Sequence, residues 1–390
     1  MGVTVHSLGC RLNLAESETM RRMLATSENL VVINSCAVTA EAVRQTRQAI
    51  RRARRAQPDA RLLVTGCASE IEREAIAAMP EVDGLVANAA KLDARAWNVP
   101  HVTQAPAVSE RYSRAFVQVQ NGCDHACTFC VIPRGRGPSR SRSVAEVNAE
   151  IAGHLEAGCR EVVLTGVDLS SWSVEGARLG DLVAAILAAF PQLPRLRLSS
   201  IDGAEIDPLL FDLVAGEARV MPHLHLSLQS GDDMILKRMK RRHSRDDAMA
   251  LVAALRVRRP DIAVGADLIA GFPTEDAAMH EANLSIIAEL GIVHGHIFPY
   301  SPRPDTPAAR MPQVERGTVK ARAAELREAV ARERGRWLED LVGRSLSVLA
   351  ERDGTGHSPC FAPVRLPDGV AAGTIVDVTP ARVLQGMLQP

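Results

Sequence analysis

Apolar positions along the chain fall into short runs separated by longer stretches with helical spacing. In the first hundred residues, 3–8, 30–34 and 62–65 read as strands. Residues 13–24, 40–55 and about 70–79 read as helices between and after them. Such alternation predicts a parallel sheet flanked by helices. Residues 100–110 hold two prolines and no period, which predicts a linker. A second series starts at 115, with strands expected at 115–119, 161–165, 195–199, 223–228, 263–269 and 295–300. Helical patterns at 144–157, 179–190, 244–256 and 275–290 separate them. Six β/α units predict a partial barrel, short of the eight units of a closed one. A charged helical stretch covers 314–341. Short β-rich runs at 346–350, 362–366 and 374–378 then predict a small β-barrel. The expected fold is α/β: an open parallel sheet domain over 1–105, a partial (β/α)6 barrel over 106–338, and a small C-terminal barrel over 339–390.

Composition narrows the picture. Of 390 residues 46% are apolar but only 3% aromatic, so packing relies on Ala, Val, Leu and Ile. The formal net charge is zero, and bulk charge therefore does not announce a nucleic-acid partner. The basic residues are nonetheless clustered. Arg44, Arg47, Arg51, Arg52, Arg54, Arg55 and Arg61 form one run, and Arg134, Arg136, Arg140 and Arg142 a second. Lys237, Arg238, Lys240, Arg241, Arg242 and Arg245 form a third. One such run is ordinarily a solvated helix face; three make an RNA partner plausible. The N-terminus lacks a basic segment followed by a long apolar run, and no stretch approaches the ~20 apolar residues that span a bilayer. The expectation is a cytoplasmic protein without a membrane partner. Its eight cysteines then sit in a reducing compartment, which favours metal or catalytic roles.

Cys123, Cys127 and Cys130 form a C-x3-C-x2-C cluster in NGCDHACTFC, directly after the first strand of the second series. Buried thiols are the plain alternative, but Asn121, Gly122, Asp124, His125 and Thr128 make this a polar loop. Zinc is the nearer rival. It takes four ligands in structural sites, and His125 lies too close in sequence to two of the cysteines to close a tetrahedron easily. Three thiolates on a four-iron cluster leave one iron open for chemistry. Cys10, Cys36 and Cys67 are distant in sequence but alike in placement, each soon after an expected strand. The carboxyl ends of parallel strands share one edge, where ligands bind, so three cysteines can converge there. Cys159 reads as a helix-end core residue and Cys360 as a loop or barrel residue.

The C-x3-C-x2-C loop, with Phe129 before its third cysteine, resembles the radical S-adenosylmethionine superfamily. With both cysteine triplets present, the chain resembles the methylthiotransferases of that superfamily over essentially its full length. Gly9-Cys10-Arg11-Leu12-Asn13 with Glu16 and Ser17, and Asn34-Ser35-Cys36-Ala37-Val38-Thr39, resemble the branch acting on threonylcarbamoyladenosine in tRNA. So do the QNGCDHACTFCVIP segment, His225 to Gly231, and Arg303-Pro304-Asp305-Thr306-Pro307. The resemblance implies two 4Fe-4S clusters, one on each triplet, and S-adenosylmethionine chelated by the open iron of the second. It implies tRNA as substrate, a sulfur donor and an electron donor as partners, and a TRAM-like C-terminal domain that holds RNA. Reductive cleavage of the cofactor would give a 5′-deoxyadenosyl radical that takes hydrogen from C2 of the purine. The first cluster would supply or hold the sulfur, and a second cofactor molecule would donate the methyl group.

Cofactor contacts carried over by the resemblance are Phe129 beside the adenine, Thr165 and Gly166 near the methionine amino group, and Ser199, Ser227 and Gln229 near ribose or carboxylate. Ile269 and Gly271 would pass alongside the adenine. Gly and Ser at strand ends also simply turn the chain. Arg11 and Arg134 are the expected cations for a substrate carboxylate, because a guanidinium can bond both oxygens. His223 and His225 alternate along a strand and are expected to pack or hydrogen-bond. No protein general base is assigned. Two departures stand out. Where the family often has an aromatic residue after the proline that follows the third cysteine, this chain has Arg134, a residue able to stack or pair instead. The C-terminal domain also lacks a basic excess, which shifts the expected RNA contact toward the three basic runs. The rival readings are a methylthiotransferase for isopentenyladenosine in tRNA or for a ribosomal protein, and an iron–sulfur electron carrier or redox-sensing RNA-binding protein.

Overall fold

The computed structural model describes residues 2–99 and 113–390; the expected linker at 100–110 lies outside them. The N-terminal part runs β1 (Thr4–Ser7), α1 (Arg11–Met23), β2 (Leu30–Ser35), α2 (Ala40–Ala56), β3 (Arg61–Gly66), α3 (Cys67–Ile71), α4 (Arg73–Ala77) and β4 (Gly84–Leu85). Its four strands are parallel in the order β1-β2-β3-β4. Strand β2 is buried along its whole length, as a central parallel strand covered on both faces must be. The expected single helix at 70–79 is instead two short helices that break at Glu72. Two forces favour the break. Ser35 Oγ accepts from Ala68 N and Ser69 N, starting α3 early, and the Glu72 carboxylate is drawn sideways to Arg47 at 2.6 Å.

The central part follows with β5 (Ala115–Gln118), β6 (Gln120–Asn121), α5 (Ile132–Arg136), β7 (Arg140–Ser141), α6 (Val144–Glu156), β8 (Glu161–Thr165) and α7 (Leu179–Ala189). It continues through β9 (Arg195–Leu198), α8 (Pro208–Gly216), β10 (His223–Gln229), α9 (Asp233–Met239), α10 (Arg245–Arg258), β11 (Ala263–Ala270), α11 (Ala277–Glu289), β12 (Ile292–Pro299) and α12 (Arg316–Glu339). Strands β5-β8-β9 and β10-β11-β12 form two parallel three-stranded ladders. Single parallel bridges, Leu196 to Val220 and Ile201 to Leu226, join them between β9 and β10. No ladder among the described residues joins β12 to β5, so the six strands make the expected partial barrel, open on one side. Helices start on local caps: Ser143 and Ser244 form capping boxes with Glu146 and Asp247. Helix α12 lies close against β12, where a Cβ on Gly295 would meet Val330 at 2.4 Å.

The last part is a six-stranded sheet of β13 (Leu346–Ala350), β14 (Thr355–His357), β15 (Pro363–Arg365), β16 (Ile375–Val378), β17 (Arg382–Leu384) and β18 (Met387–Gln389), ordered β16-β13-β14-β15-β18-β17. Its core, including Val348, Val364 and Cys360, is continuous with Ala263, Val293, Leu338 and Leu341 of the barrel. It packs at the amino ends of the barrel strands: Arg195 donates to Ser347 O and His357 O, and Arg197 to Pro359 O.

Candidate active site

The first cysteine triplet lies along the carboxyl edge of the N-terminal sheet. Cys10 caps α1 just after β1, Cys36 follows β2 and Cys67 opens α3 directly after β3. Glycines make this crowding possible. Gly9 has φ +89°, and a Cβ there would sit 2.6 Å from Cys36 Sγ; Gly66 has φ +97°, and its Cβ would sit 2.4 Å from Ser35 O. The three thiols are close enough that ionising one makes ionising its neighbours harder. Burial pushes Cys36 up to about 11.

The second triplet lies on the loop between β6 and α5. Gly122, with φ +76°, sits where a Cβ would be 1.9 Å from Pro138 O, so the loop enters on a glycine that nothing can replace without rebuilding the turn. Thr128 stitches the loop to α9 through Thr128 N to Met239 O and Thr128 Oγ1 to Arg238 O. Cys130 Sγ accepts from Ile132 N at 3.4 Å, and Arg241 Nη1 lies 3.6 Å from Cys127 Sγ. Cys123 Sγ is 3.6 Å from Asp168 Oδ2, which is itself 2.7 Å from His125 Nε2. Burial pushes Cys130 up to about 11 and Cys123 up to about 12. A strongly positive partner is needed to draw thiolates from these two positions. An iron–sulfur cluster fits that donor set.

The two triplets are neighbours across the junction of the N-terminal sheet and the barrel. Helix α5, which follows Cys130, packs on α3: a Cβ on Gly135 would meet Cys67 Cβ at 3.4 Å, and Asn88 Nδ2 donates to Gly135 O at 2.5 Å. Arg136 at the end of α5 reaches into the N-terminal domain. Its guanidinium donates to Glu16 Oε1 at 2.8 Å, Asn13 Oδ1 at 2.5 Å and Asn121 Oδ1 at 2.9 Å. Lys91 Nζ holds the other side of Glu16 at 2.5 Å and reaches Asn34 Oδ1 at 3.2 Å. All three charged groups are buried. Burial works against the Glu16 carboxylate, but Lys91 and Arg136 outweigh it and hold its pKa below the usual range. Burial pushes the Cys67 thiol up, and the two cations facing it offset this only in part. Glu16 entered the sequence reading only within a motif and Arg136 only within a basic run. Lys91 carries no sequence signal, lying in an alanine-rich stretch.

Inward residues of β10, β11 and β12 stack in layers inside the barrel. At the base, Phe361 of the C-terminal domain sits beside His223, His294 and His357, with ring centroids 5.3, 5.7 and 4.4 Å away. The guanidinium groups of Arg114, Arg197 and Arg11 lie 5.0, 4.9 and 5.6 Å from its centroid. The middle layer is His225, Asp267 and His296. Above it a cleft of about 190 Å³ is lined by Phe129, Gln229, Asp267, Ile269, Phe298, Pro299 and Tyr300, and closed by Val38, Thr39 and Ser301. Val38 and Thr39 come from the N-terminal domain, so the cleft lies between the two cysteine-bearing parts.

The expected cofactor residues divide accordingly. Phe129, Gln229 and Ile269 meet in the cleft. Gln229 does so in a left-handed conformation, φ +74°, a strained state for a residue with a side chain. Ser199 Oγ is buried and has no hydrogen-bond partner among the described residues, and so does the cleft-lining Tyr300 hydroxyl, which sequence reasoning missed. Buried hydroxyls left open in this way fit a polar ligand. Thr165 spends its hydroxyl on Val117 O, and Gly166 packs on the Gln120 side chain that supports the loop at Gly122 O and Asp168 N. Ser227 offers its carbonyl to Arg241 at 2.7 Å. Gly271 lies apart from the cleft: with φ +69° it turns the chain against Val319, which would stand 2.6 Å from its Cβ.

The expected substrate cations also separate. Arg11 is drawn into the barrel beside Phe361, next to Arg114 and Arg197. Arg134 stays exposed and bonds Pro304 O and Asp305 Oδ2 at 3.0 and 3.1 Å. Two of the three basic runs are largely consumed inside the fold. Arg142 is paired with Glu150, Arg241 and Arg242 with Asp202, and Arg245 with Glu289. On α2, Arg47, Arg51 and Arg54 bond Glu72, Glu81 and Asp83, while Arg52 and Arg55 stay exposed.

This architecture is that of a radical S-adenosylmethionine enzyme. The Radical SAM superfamily model matches residues 117–284, and the model of the Uncharacterized protein family UPF0004 matches residues 2–87. The chain is 40% identical over 402 residues to the threonylcarbamoyladenosine tRNA methylthiotransferase MtaB of Rickettsia prowazekii, covering 98% of this chain and 96% of that one. It is 33% identical over 416 residues to a tRNA-2-methylthio-N(6)-dimethylallyladenosine synthase of Cereibacter sphaeroides, covering 97% and 95%. Among solved structures it resembles the radical S-adenosylmethionine methyltransferase TsrM of Kitasatospora setae at TM-score 0.54 and 17% identity, covering 76% of this chain and 68% of that one; this likeness concerns the fold alone. The chain belongs to the radical S-adenosylmethionine methylthiotransferase family. With that membership come S-adenosylmethionine and a 4Fe-4S cluster as cofactors. No helix among the described residues is long and apolar enough to cross a membrane.

Proposed function

We propose that this enzyme methylthiolates C2 of N6-threonylcarbamoyladenosine next to the anticodon of tRNA, using two 4Fe-4S clusters. The observation that carries this reading is the close approach of the two cysteine-bearing parts, where Gly135 of the helix after Cys130 packs against Cys67. Cys123, Cys127 and Cys130 would hold the cluster that supplies reductive cleavage of S-adenosylmethionine, and Cys10, Cys36 and Cys67 would hold a second that supplies or holds the sulfur. The chain's own residues bind and orient. Phe129 and Ile269 would hold the adenine of the cofactor, and Gln229, the Tyr300 hydroxyl and Ser199 would meet its polar groups. Arg241 holds the loop at Cys127 against Asp202. Arg136, Glu16 and Lys91 lock the two domains so that the sulfur-bearing and radical-forming sides keep one spacing. Val38 and Thr39 cover the cleft and exclude water. Relatives acting on threonylcarbamoyladenosine and on dimethylallyladenosine both align along the whole chain; the GCRLN motif at Cys10 favours the former. Domain 339–390 contributes tRNA binding, and an electron donor and a sulfur donor complete the cycle. Nucleosides digested from tRNA of cells lacking the protein test the reading. The 2-methylthio derivative of threonylcarbamoyladenosine should vanish, its parent nucleoside should accumulate, and isopentenyladenosine derivatives should stay unchanged.

A further inference from the structure

The middle layer of the barrel carries a third group of metal-ligating side chains, separate from both cysteine triplets. His225 comes from β10, Asp267 from β11 and His296 from β12. His225 Nε2 and His296 Nδ1 each stand 3.1 Å from the same oxygen, Asp267 Oδ1, and all three ligand atoms lie within 4.8 Å of one another. The two imidazole rings are 4.5 Å apart, tilted by 35°. A spacing of 3.1 Å suits a hydrogen bond. It also suits two ligands of one tetrahedral ion, since bonds of ~2.0 Å place such ligands ~3.3 Å apart. The local backbone makes room for the arrangement: a Cβ at Gly265 would fall 2.4 Å from His225 Nδ1, so the ring takes its place only because residue 265 is glycine. Three adjacent parallel strands fix the three side chains, which limits the entropy lost when they take up an ion.

We propose that His225, Asp267 and His296 form a mononuclear site for a divalent, imidazole-preferring ion such as zinc. Two imidazoles and one carboxylate are a ligand set for such ions, and three protein ligands leave a position open. Asp267 lines the cleft and His296 is 58% exposed, so that open position communicates with whatever the cleft holds. Arg11 lies near Asp267, so a divalent ion there keeps an excess of positive charge and favours an anionic oxygen as its remaining ligand. The Cys123–His125–Asp168 group also brings ligand atoms together, but it includes one of the cysteines of the second triplet.

The test uses the enzyme carrying its clusters, kept anaerobic, saturated with Zn2+ and then desalted. Zinc and iron are counted in the wild type and in the D267N and H296A variants. The expected result is one zinc per chain more in the wild type than in either variant, with equal iron in all three and zinc affinity weakened at least ~10-fold in the variants. X-ray absorption at the zinc edge should then show nitrogen and oxygen neighbours. Equal zinc in all three proteins, or zinc with sulfur neighbours only, overturns the proposal. If D267N also loses iron, H296A decides alone, because its exposed side chain can be removed without disturbing the core.

Discussion

Arg136 and Glu16 meet through two parallel hydrogen bonds, Nη1 to Oε1 at 2.8 Å and Nη2 to Oε2 at 3.1 Å, with neither side chain more than 1% exposed. Arg136 ends the helix that follows the radical loop, and Glu16 lies on the helix that Cys10 caps. One bidentate pair therefore ties the two cysteine sites together.

Breaking the pair should be costly. In E16Q the shape stays, but Arg136 and Lys91 become two buried cations without a carboxylate. Removing one partner of a buried pair costs roughly 3–5 kcal/mol. Chemical denaturation should show a loss of that order, accompanied by weaker iron retention at the first triplet. A loss below about 1 kcal/mol would mean that the junction is wet or held by other contacts.

The two cysteine sites should be separable. Replacing Cys123, Cys127 and Cys130 by Ala should remove about half of the bound iron and all cleavage of S-adenosylmethionine. Replacing Cys10, Cys36 and Cys67 should also remove about half of the iron while leaving 5′-deoxyadenosine formation detectable. Full iron retention in either triple variant would contradict two clusters.

On α2, Arg52 and Arg55 are the arginines placed to meet a polyanion, because Arg47, Arg51 and Arg54 already have acidic partners. Changing both to Gln should weaken tRNA binding. It should also lower the slope of log affinity against log salt by roughly 1.4–1.8, the release of two phosphate counterions. Identical salt dependence would make this helix a solvated face.

Acid should loosen the barrel's base. Burial, with Arg334 adding repulsion, lowers His294 from its ordinary 6.5 to about 3. The unfolded chain then binds a proton here that the folded one does not. Stability from this group is complete above pH ~6.5 and is lost as pH falls from there toward 3. The melting temperature should decline across that window, and more shallowly in H294Q. Parallel pH profiles for the two proteins would contradict a buried neutral imidazole.

Much of the fold was legible because its strands are short apolar runs bounded by Gly, Ser and charged residues. Strands 161–165 and 346–350 begin and end where the pattern places them. Elements without a period were not legible. Helix α9 spans seven residues and reads as a charge run, and β14, β17 and β18 have three residues each. Helix α8 carries a start signal, Asp207 capping with Pro208 at the first turn, that apolar periodicity does not reinforce. At the site, the placement of the cysteines was legible because Cys10, Cys36 and Cys67 each follow a strand and the other three share one loop. The placement of Arg11 was not legible, since sequence proximity to Cys10 says nothing of the Phe361 ring, 350 residues further on, beside which its guanidinium lies. Long-range partners of this kind, like Lys91 for Glu16, leave no local trace.

The most direct test of the account is a reaction with purified, anaerobically reconstituted enzyme, reductant, a sulfide source and S-adenosylmethionine. Three otherwise identical tRNAs are compared, carrying threonylcarbamoyladenosine, isopentenyladenosine or plain adenosine beside the anticodon. The account predicts that mass spectrometry of the digested nucleosides finds the 2-methylthio product from the first tRNA, little from the third and none from the second. Efficient conversion of the isopentenyladenosine tRNA, with the threonylcarbamoyl tRNA untouched, would contradict it.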